Sequence, residues 1–330
     1  MTVVVLAVAA TLAIGFLRSR GGPVALTDNG SAIQGVNSGV TSVAFSPDGT
    51  ALAAGDADGS VYLWDISTHQ LTATLADSLV SGSTSSVAFS PDGTTIAAGN
   101  TDGSVYLWDV STHRLIATLT DSPSTGSVTS VAFSPSGSTL AAGNGDGSVS
   151  LWDIATKTRM FRLDSASSEQ IGALAFGPGN TLAVGDGDGQ VYLWDTATGQ
   201  LNTTLGDQQS GGISSVAFSP DGKTVAASDG FSTGLTQLWD LATKQATGSI
   251  TPPGLAVVLS IAFSPDGKSL AMGDSNGRAY LWNVGSPLTS PSTTLTDPNG
   301  KAVNCVAFSP DGRTLATADG NDTTYLWSVP

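Results

Sequence analysis

Seven tryptophans in one register, a second marker repeating in step with them, and an acid pool that is almost all aspartate predict an all-β protein. The fold they predict is a ring of seven four-stranded antiparallel blades, a β-propeller. Trp64, Trp108, Trp152, Trp194, Trp239, Trp282 and Trp327 follow one another at intervals of 44, 44, 42, 45, 43 and 45 residues. The run Ser42–Gly49 (SVAFSPDG) precedes the first of them. It recurs at Ser86–Gly93, Ser130–Gly137, Ala173–Asn180, Ser215–Gly222, Ser260–Gly267 and Cys305–Gly312. Two independent markers in step seven times are a repeat, and a period of ~40–45 residues is that of a propeller blade. Only Glu169 among the 27 acidic residues is not aspartate, and there are 40 glycines. Aspartate and glycine favour turns over helices.

Each unit reads as four strands. Val40–Phe45 is a short apolar run, and Ser46-Pro47-Asp48-Gly49 is turn chemistry. Leu52–Gly55 is a second run, closed by the hairpin pair Asp58-Gly59. Val61–Trp64 is β-branched and aromatic, as strands prefer. Ser67-Thr68-His69 then turns the chain into Leu71–Leu75, the fourth strand.

These units resemble WD40 repeats. The resemblance rests on VAFSPDG followed by LAAGDADGSVYLWD at Leu52–Asp65, and it covers roughly Val24 to Pro330. Five units keep the Trp-Asp pair, at Asp65, Asp109, Asp153, Asp195 and Asp240; Asn283 and Ser328 replace it in the last two. The last unit stops at Pro330, a strand short, while Val24–Asp28 matches the fourth-strand pattern of Leu295–Asp297. The family's ring closure implies that this N-terminal strand completes the last blade, which removes an exposed sheet edge. One domain then spans residues 24–330. No unit carries the family's Gly-His pair, so the usual His hydrogen-bond network is not expected. Its aspartate survives at Asp58, Asp102, Asp146 and Asp188, where each is expected to hold its own turn.

Composition limits function. A net charge of −15 makes nucleic acid a poor partner. A single cysteine excludes disulfides and cysteine-based zinc sites, and with two histidines little acid–base or metal chemistry is available. His69 and His113 share a slot that Lys157, Gly199 and Lys244 fill elsewhere, which marks a turn tip and not a catalytic pair. Cys305 stands where other units have Ser or Ala and is expected to be shielded. Asp56-Ala57-Asp58-Gly59 and Asp186-Gly187-Asp188-Gly189 echo calcium loops but lack a third carboxylate and a closing Glu. No cofactor and no catalytic or metal residue is expected. A propeller hydrolase or lactonase is the enzymatic alternative, and it lacks a base–nucleophile pair.

The resemblance places second-to-third turns and blade-to-blade connections at one end of the ring. Seventeen acids then gather there against Arg278 and Lys301, while Lys157, Lys223, Lys244, Lys268 and Arg313 go to the other end. Such a face suits a basic protein partner. Asp77, Asp121, Asp164, Asp207 and Asp297, in the connections, are the expected contact residues, and the seven tryptophans are expected to be structural. The expectation is a monomeric, non-catalytic interaction platform.

Residues 1–17 form a separate segment, uncharged and mostly apolar from Val3 to Leu17, followed by Arg18 and Arg20 in a linker of residues 18–23. Sixteen residues make a helix of only ~24 Å against a ~30 Å hydrocarbon core. The segment reads as a short single-pass anchor or as the end of a longer span that begins before Met1. The SPDG-rich units resemble bacterial propellers joined by one membrane helix to serine/threonine kinases, which implies an extracytoplasmic ligand-sensing domain as the alternative function. Arg18 and Arg20 favour a cytoplasmic ring by the positive-inside rule, whereas the kinase arrangement implies the outside. A purely cytoplasmic protein is the remaining alternative.

Overall fold

The computed structural model describes residues 24–26, 39–77, 80–121, 126–164, 169–206, 211–230, 234–285, 288–297, 300–320 and 323–329. The apolar segment 1–17, linker 18–23 and Asp207 lie outside these residues. Among the described residues, no helix is long and apolar enough to cross a membrane.

Twenty-eight strands, numbered in chain order, form seven four-stranded antiparallel sheets. Blade one is β2 (Val40–Phe45), β3 (Ala51–Asp56), β4 (Val61–Asp65) and β5 (Gln70–Leu75), in that spatial order. Blades two to six repeat this plan. The seventh is built from β26 (Val303–Phe308), β27 (Thr314–Asp319) and β28 (Thr324–Ser328), with β1 (Val24–Leu26) against β28. In that pairing Val24 faces Leu326 and Leu26 faces Thr324.

Burial follows from stacking sheets face to face around a ring. The second strand of every blade is buried on both faces over five consecutive residues, which explains an unbroken apolar run where a half-buried strand would alternate. Outer strands do alternate, as in Gln70–Leu75, because one side meets solvent. Neighbouring blades approach so closely that a Cβ on Gly55 would come within 2.6 Å of the Thr84 methyl, and Gly99 and Gly143 are equally tight. Six of the seven tryptophans are buried and Trp327 is half-buried. Each lies in a cluster shared with the preceding blade: Trp152 packs with Val105, Leu107 and Leu119 of blade two, and Trp64 with Ala316, Ala318 and Leu326 of blade seven. The last contact closes the ring.

Each inner strand carries a bulge at the same place, and in five of the seven blades the side chain of the bulged residue reaches the next blade. In blade one it is Thr41, whose hydroxyl donates to Thr84 O at 2.6 Å; Ser85, Thr129 and Ser214 make the equivalent bond to the next blade. Asn304 of blade seven donates to Val40 O at 2.8 Å, while Gly172 of blade four and Leu259 of blade six have no side-chain donor to offer. One residue further on, Ser42 Oγ accepts from Val87 N at 3.1 Å, and Ser86, Ser130, Ser215 and Ser260 repeat this. Most polar residues in these inner strands are thereby satisfied by the neighbouring sheet, the buried Thr84 hydroxyl being an exception.

Candidate functional site

Antiparallel order fixes which turns share an end. The SPDG turns and the third-to-outer turns lie at one end, called here the SPDG end. The second-to-third turns and the connections lie at the other, the connection end. One backbone bond per blade ties these two loops together, from Ala57 N to Gly39 O (3.2 Å) in blade one and from Thr101 N to Ser83 O (2.9 Å) in blade two.

At the connection end, aspartate has two separate roles. The last residue of each second strand is buried: Asp56, Asn100, Asn144, Asp186, Asp229, Asp274 and Asp319. Its side chain accepts amides of the turn it begins, as when Asp58 N donates to Asp56 Oδ1 at 2.8 Å, or Asn276 N and Arg278 N to Asp274 Oδ1 at 2.9 Å. Two residues on, Asp58, Asp102 and Asp146 are exposed. Asp58 accepts from Ser60 N at 2.7 Å and from the Tyr62 hydroxyl at 2.8 Å. Asp102 accepts from Ser104 N and, at 2.6 Å, from the Tyr106 hydroxyl. Burial, with the Asp102 carboxylate beside it, pushes the Tyr106 phenol up to about 12. Tyr192 reaches Asp188 at 3.5 Å, a weaker version. Asp58, Asp102 and Asp146 thus combine a turn-holding oxygen with solvent exposure, whereas Asp188 is half-buried and its Oδ1 holds no turn amide.

The connection aspartates do not form one contact surface. Asp121 is buried, held by Arg159 Nη1 at 2.6 Å and by the Ser150 hydroxyl. Asp297 is also buried, and its Oδ1 accepts from Gly300 N at 3.0 Å. Asp77 is half-buried, and Asp164 is exposed but paired with Arg162 Nε at 2.9 Å. The expectation that this set presents charge to a partner is therefore corrected for Asp121 and Asp297: their carboxylates serve the fold. The acid count at this end is corrected as well. Fourteen of the seventeen acids are among the described residues and seven of these are buried, and two bases on an outer strand, Arg159 and Arg162 of β13 (Thr158–Asp164), reach this end. Burial disfavours ionisation of Asp146, yet the Ser148 hydroxyl and Arg162 Nη2 at 2.8 Å outweigh it and hold the carboxyl below its usual range. Among the described residues, exposed acid is left in blades one to four, at Asp58, Asp102 and Glu169 and at Asp146 and Asp164, which share Arg162.

The SPDG end is held by a different aspartate set. Asp48 Oδ1 accepts from the Ser46 hydroxyl at 2.6 Å and from Thr50 N at 3.0 Å, which lowers its pKa. Asp65 of the first Trp-Asp pair accepts from the Ser67 hydroxyl, Thr68 N and the Thr68 hydroxyl, and its pKa falls to about 2. In the same turns His69, His113, Lys157, Gly199 and Lys244 have φ between 56° and 69°. A slot needing the left-handed region explains why it takes Gly, Lys or His with no chemistry in common. Burial pushes the Cys305 thiol above its ordinary pKa; its sulfur sits 3.8 Å from Val43 O in the slot of the bridging serines. Such a thiol is not an activated nucleophile. A groove of about 400 Å³ opens between blades six and seven, lined in part by Pro265, Leu281, Phe308, Arg313 and Val329. Among the described residues no group of three or more His, Cys, Asp or Glu side chains is arranged to hold a metal ion.

The double role of aspartate was not readable from the sequence, because Asp56 and Asp58 are two apart in one turn and chemically identical. The signal available was substitution between units: Asn100 and Asn144 stand in the Asp56 slot, so that position needs a hydrogen-bonding side chain and not a charge.

Comparison with protein families gives three matches. Residues 30–65 match the WD domain, G-beta repeat; residues 78–229 match the nucleolar protein 10-like N-terminal domain, a β-propeller model; and residues 164–309 match the Vps8 β-propeller. No curated protein matches the sequence.

Proposed function

We propose that this chain, whose family matches support the WD40 propellers, is a non-catalytic protein-interaction platform tethered to a membrane through residues 3–17. A WD40-type ring fits protein–protein interaction, and the sequence offers no base–nucleophile pair to set against that reading. The observation that carries the partner's chemistry is the run of exposed aspartates at equivalent turns, Asp58, Asp102 and Asp146, with Glu169 beside them. Each turn is pinned to its connection by a backbone bond, so the carboxylates stand on a rigid rim. A basic protein surface is the complementary partner, and long-range attraction would speed its association at low salt.

The test is crosslinking from membranes followed by kinetics on the captured partner. Asp58→Asn, Asp102→Asn and Asp146→Asn together keep the turn-holding oxygens and remove three charges. The expected result is slower association, with a weaker salt dependence and an unchanged melting temperature. A captured partner that binds the triple variant at the wild-type rate at every salt concentration would move the interface elsewhere on the ring.

A further inference from the structure

Asparagine replaces aspartate at one of the exposed turn positions of the connection end. Asn276 of blade six stands where blades one to four have Asp58, Asp102, Asp146 and Asp188, and Gly277 follows it. An asparagine before glycine is chemically labile, because the glycine has no side chain to keep its amide nitrogen away from the carboxamide carbon. Four Asn-Gly pairs occur in the chain, and the structure describes both residues of two of them, Asn144-Gly145 and Asn276-Gly277. These two are held in opposite ways.

Asn144 is 2% exposed, and its Nδ2 donates to the Ser148 and Ser150 hydroxyls at 3.1 and 3.4 Å. The Gly145 amide donates to Ser127 O at 2.8 Å. The nitrogen that would attack and the carbon it would attack are both fixed.

Asn276 is exposed, and its carboxamide is released from the turn. Asp58, Asp102 and Asp146 each accept the amide two residues on, whereas in blade six that amide, Arg278 N, donates to Asp274 Oδ1. Among the described residues the Asn276 side chain has no hydrogen-bond partner. The Gly277 amide donates to Asp274 O at 3.4 Å, whereas the equivalent bonds of Gly59, Gly103, Gly147 and Gly189 run from 3.1 to 3.3 Å. Arg278 and Lys301 are both exposed beside this turn, and Lys301 O lies 2.7 Å from where a Gly277 Cβ would stand. Positive charge there favours a deprotonated amide nitrogen. Gly277 itself is buried under the connection, its carbonyl accepting from Asp297 N at 2.8 Å, so the reactive state is a locally opened turn.

We propose that Asn276 is a site of spontaneous deamidation through a cyclic imide formed with Gly277. The Gly277 nitrogen gives up its proton and bonds to Asn276 Cγ; the Cγ–Nδ2 bond breaks, and ammonia leaves with that proton. Water then adds to one of the two imide carbonyls, and the bond from that carbonyl to the Gly277 nitrogen breaks. Opening at Cγ leaves an aspartate, and opening at the main-chain carbonyl leaves an isoaspartate with one more methylene in the turn. Either product places a carboxylate at the position equivalent to Asp58, which carries exposed acid into blade six. That consequence builds on the acidic-rim reading above, while the modification itself does not depend on it.

The experiment incubates the full chain in mildly alkaline buffer, folded or unfolded in urea. Peptide mapping by tandem mass spectrometry, with fragmentation that separates aspartate from isoaspartate, follows each Asn-Gly pair. In the folded chain position 276 should gain acid several-fold faster than position 144, and in urea the two rates should converge. Asn276→Gln closes the imide slowly and replaces a side chain that makes no bond, so it should keep the wild-type melting temperature and lose the acidic species from ion exchange that maps to this peptide. An intact Asn276 in the folded chain, over a time in which the unfolded chain converts, would overturn the proposal. Equal conversion at 276 and 144 in the folded chain would overturn its structural basis, and an acidic species at this peptide that survives Asn276→Gln would assign the change to another residue.

Discussion

Protonation and backbone strain are decided residue by residue. Nine carboxylates of the SPDG end, Asp48, Asp65, Asp92, Asp109, Asp153, Asp221, Asp240, Asp266 and Asp311, titrate below the ordinary aspartate range because turn hydroxyls and amides donate to them. A depressed folded-state pKa adds stability that is present above the unfolded value and is lost as pH falls through the folded one. Stability should therefore be level above about pH 4 and decline between about pH 4 and pH 2, as followed by urea melts. Asp65→Asn keeps the acceptor oxygen and loses the charge, so its decline should be shallower; an unchanged profile would mean that Asp65 does not contribute. Leu255 is a second case. It is 70% exposed with φ 54°, a region that bulky residues avoid. Its amide donates to Pro252 O at 3.3 Å, as Gly300 donates to Asp297 O in the next connection, where φ is 65°. Leu255→Gly should relieve strain and raise unfolding free energy by up to about 1 kcal/mol, after the entropy that glycine adds to the unfolded chain. A loss of stability would show that the leucine packs.

At the scale of elements, blade seven differs from the others in its outer strand. β1 has three residues where β5 has six, and it comes from the far end of the sequence. Removing residues 1–17 should leave the melting temperature unchanged, because this deletion spares β1. Removing residues 1–28 deletes β1 and exposes the edge of β28, so the melting temperature should fall and association at that edge should rise. Equal melting of the two truncations would show that β1 adds nothing to the blade. Strand boundaries were legible beforehand because each unit repeats its own punctuation: SPDG ends the first run, Asp-Gly the second, and Trp-Asp the third. The bulge at Thr41 was not legible, since it is defined by the pairing of β2 with β3 and by the carbonyl of the next blade.

At the scale of the whole molecule, a charge of −15 belongs to a chain whose few cations are divided between the two ends of the ring. Acids spread over both ends repel at low ionic strength, where the Debye length is ~30 Å, and much less at ~8 Å in physiological salt. The melting temperature should therefore rise as salt is raised from ~10 mM to ~150 mM. A flat response in calorimetry would show that local pairs such as Arg162 with Asp146 and Asp164 already compensate the charge. The seven-fold repetition makes each blade's core depend on the next. Trp64 of the first blade packs on Ala316, Ala318 and Leu326 of the last, so no blade has a complete core alone.

The sequence by itself determined the number of blades, the order of strands within them and the positions of the turns, because all of these are local and repeat seven times. It also carried the slot logic of His69 and His113, since substitution between units reveals what a position tolerates. Tertiary structure alone decided which aspartates carry exposed charge. Asp56 and Asp58, or Asp121 and Asp164, are indistinguishable along the chain, and burial separates them only when the neighbouring strand and connection close over one of each pair. It also decided that Arg159 and Arg162 reach the acidic end, and that Val24 is the end of β1 nearer the SPDG turns, because the direction of β1 is set by its partner β28, some three hundred residues away.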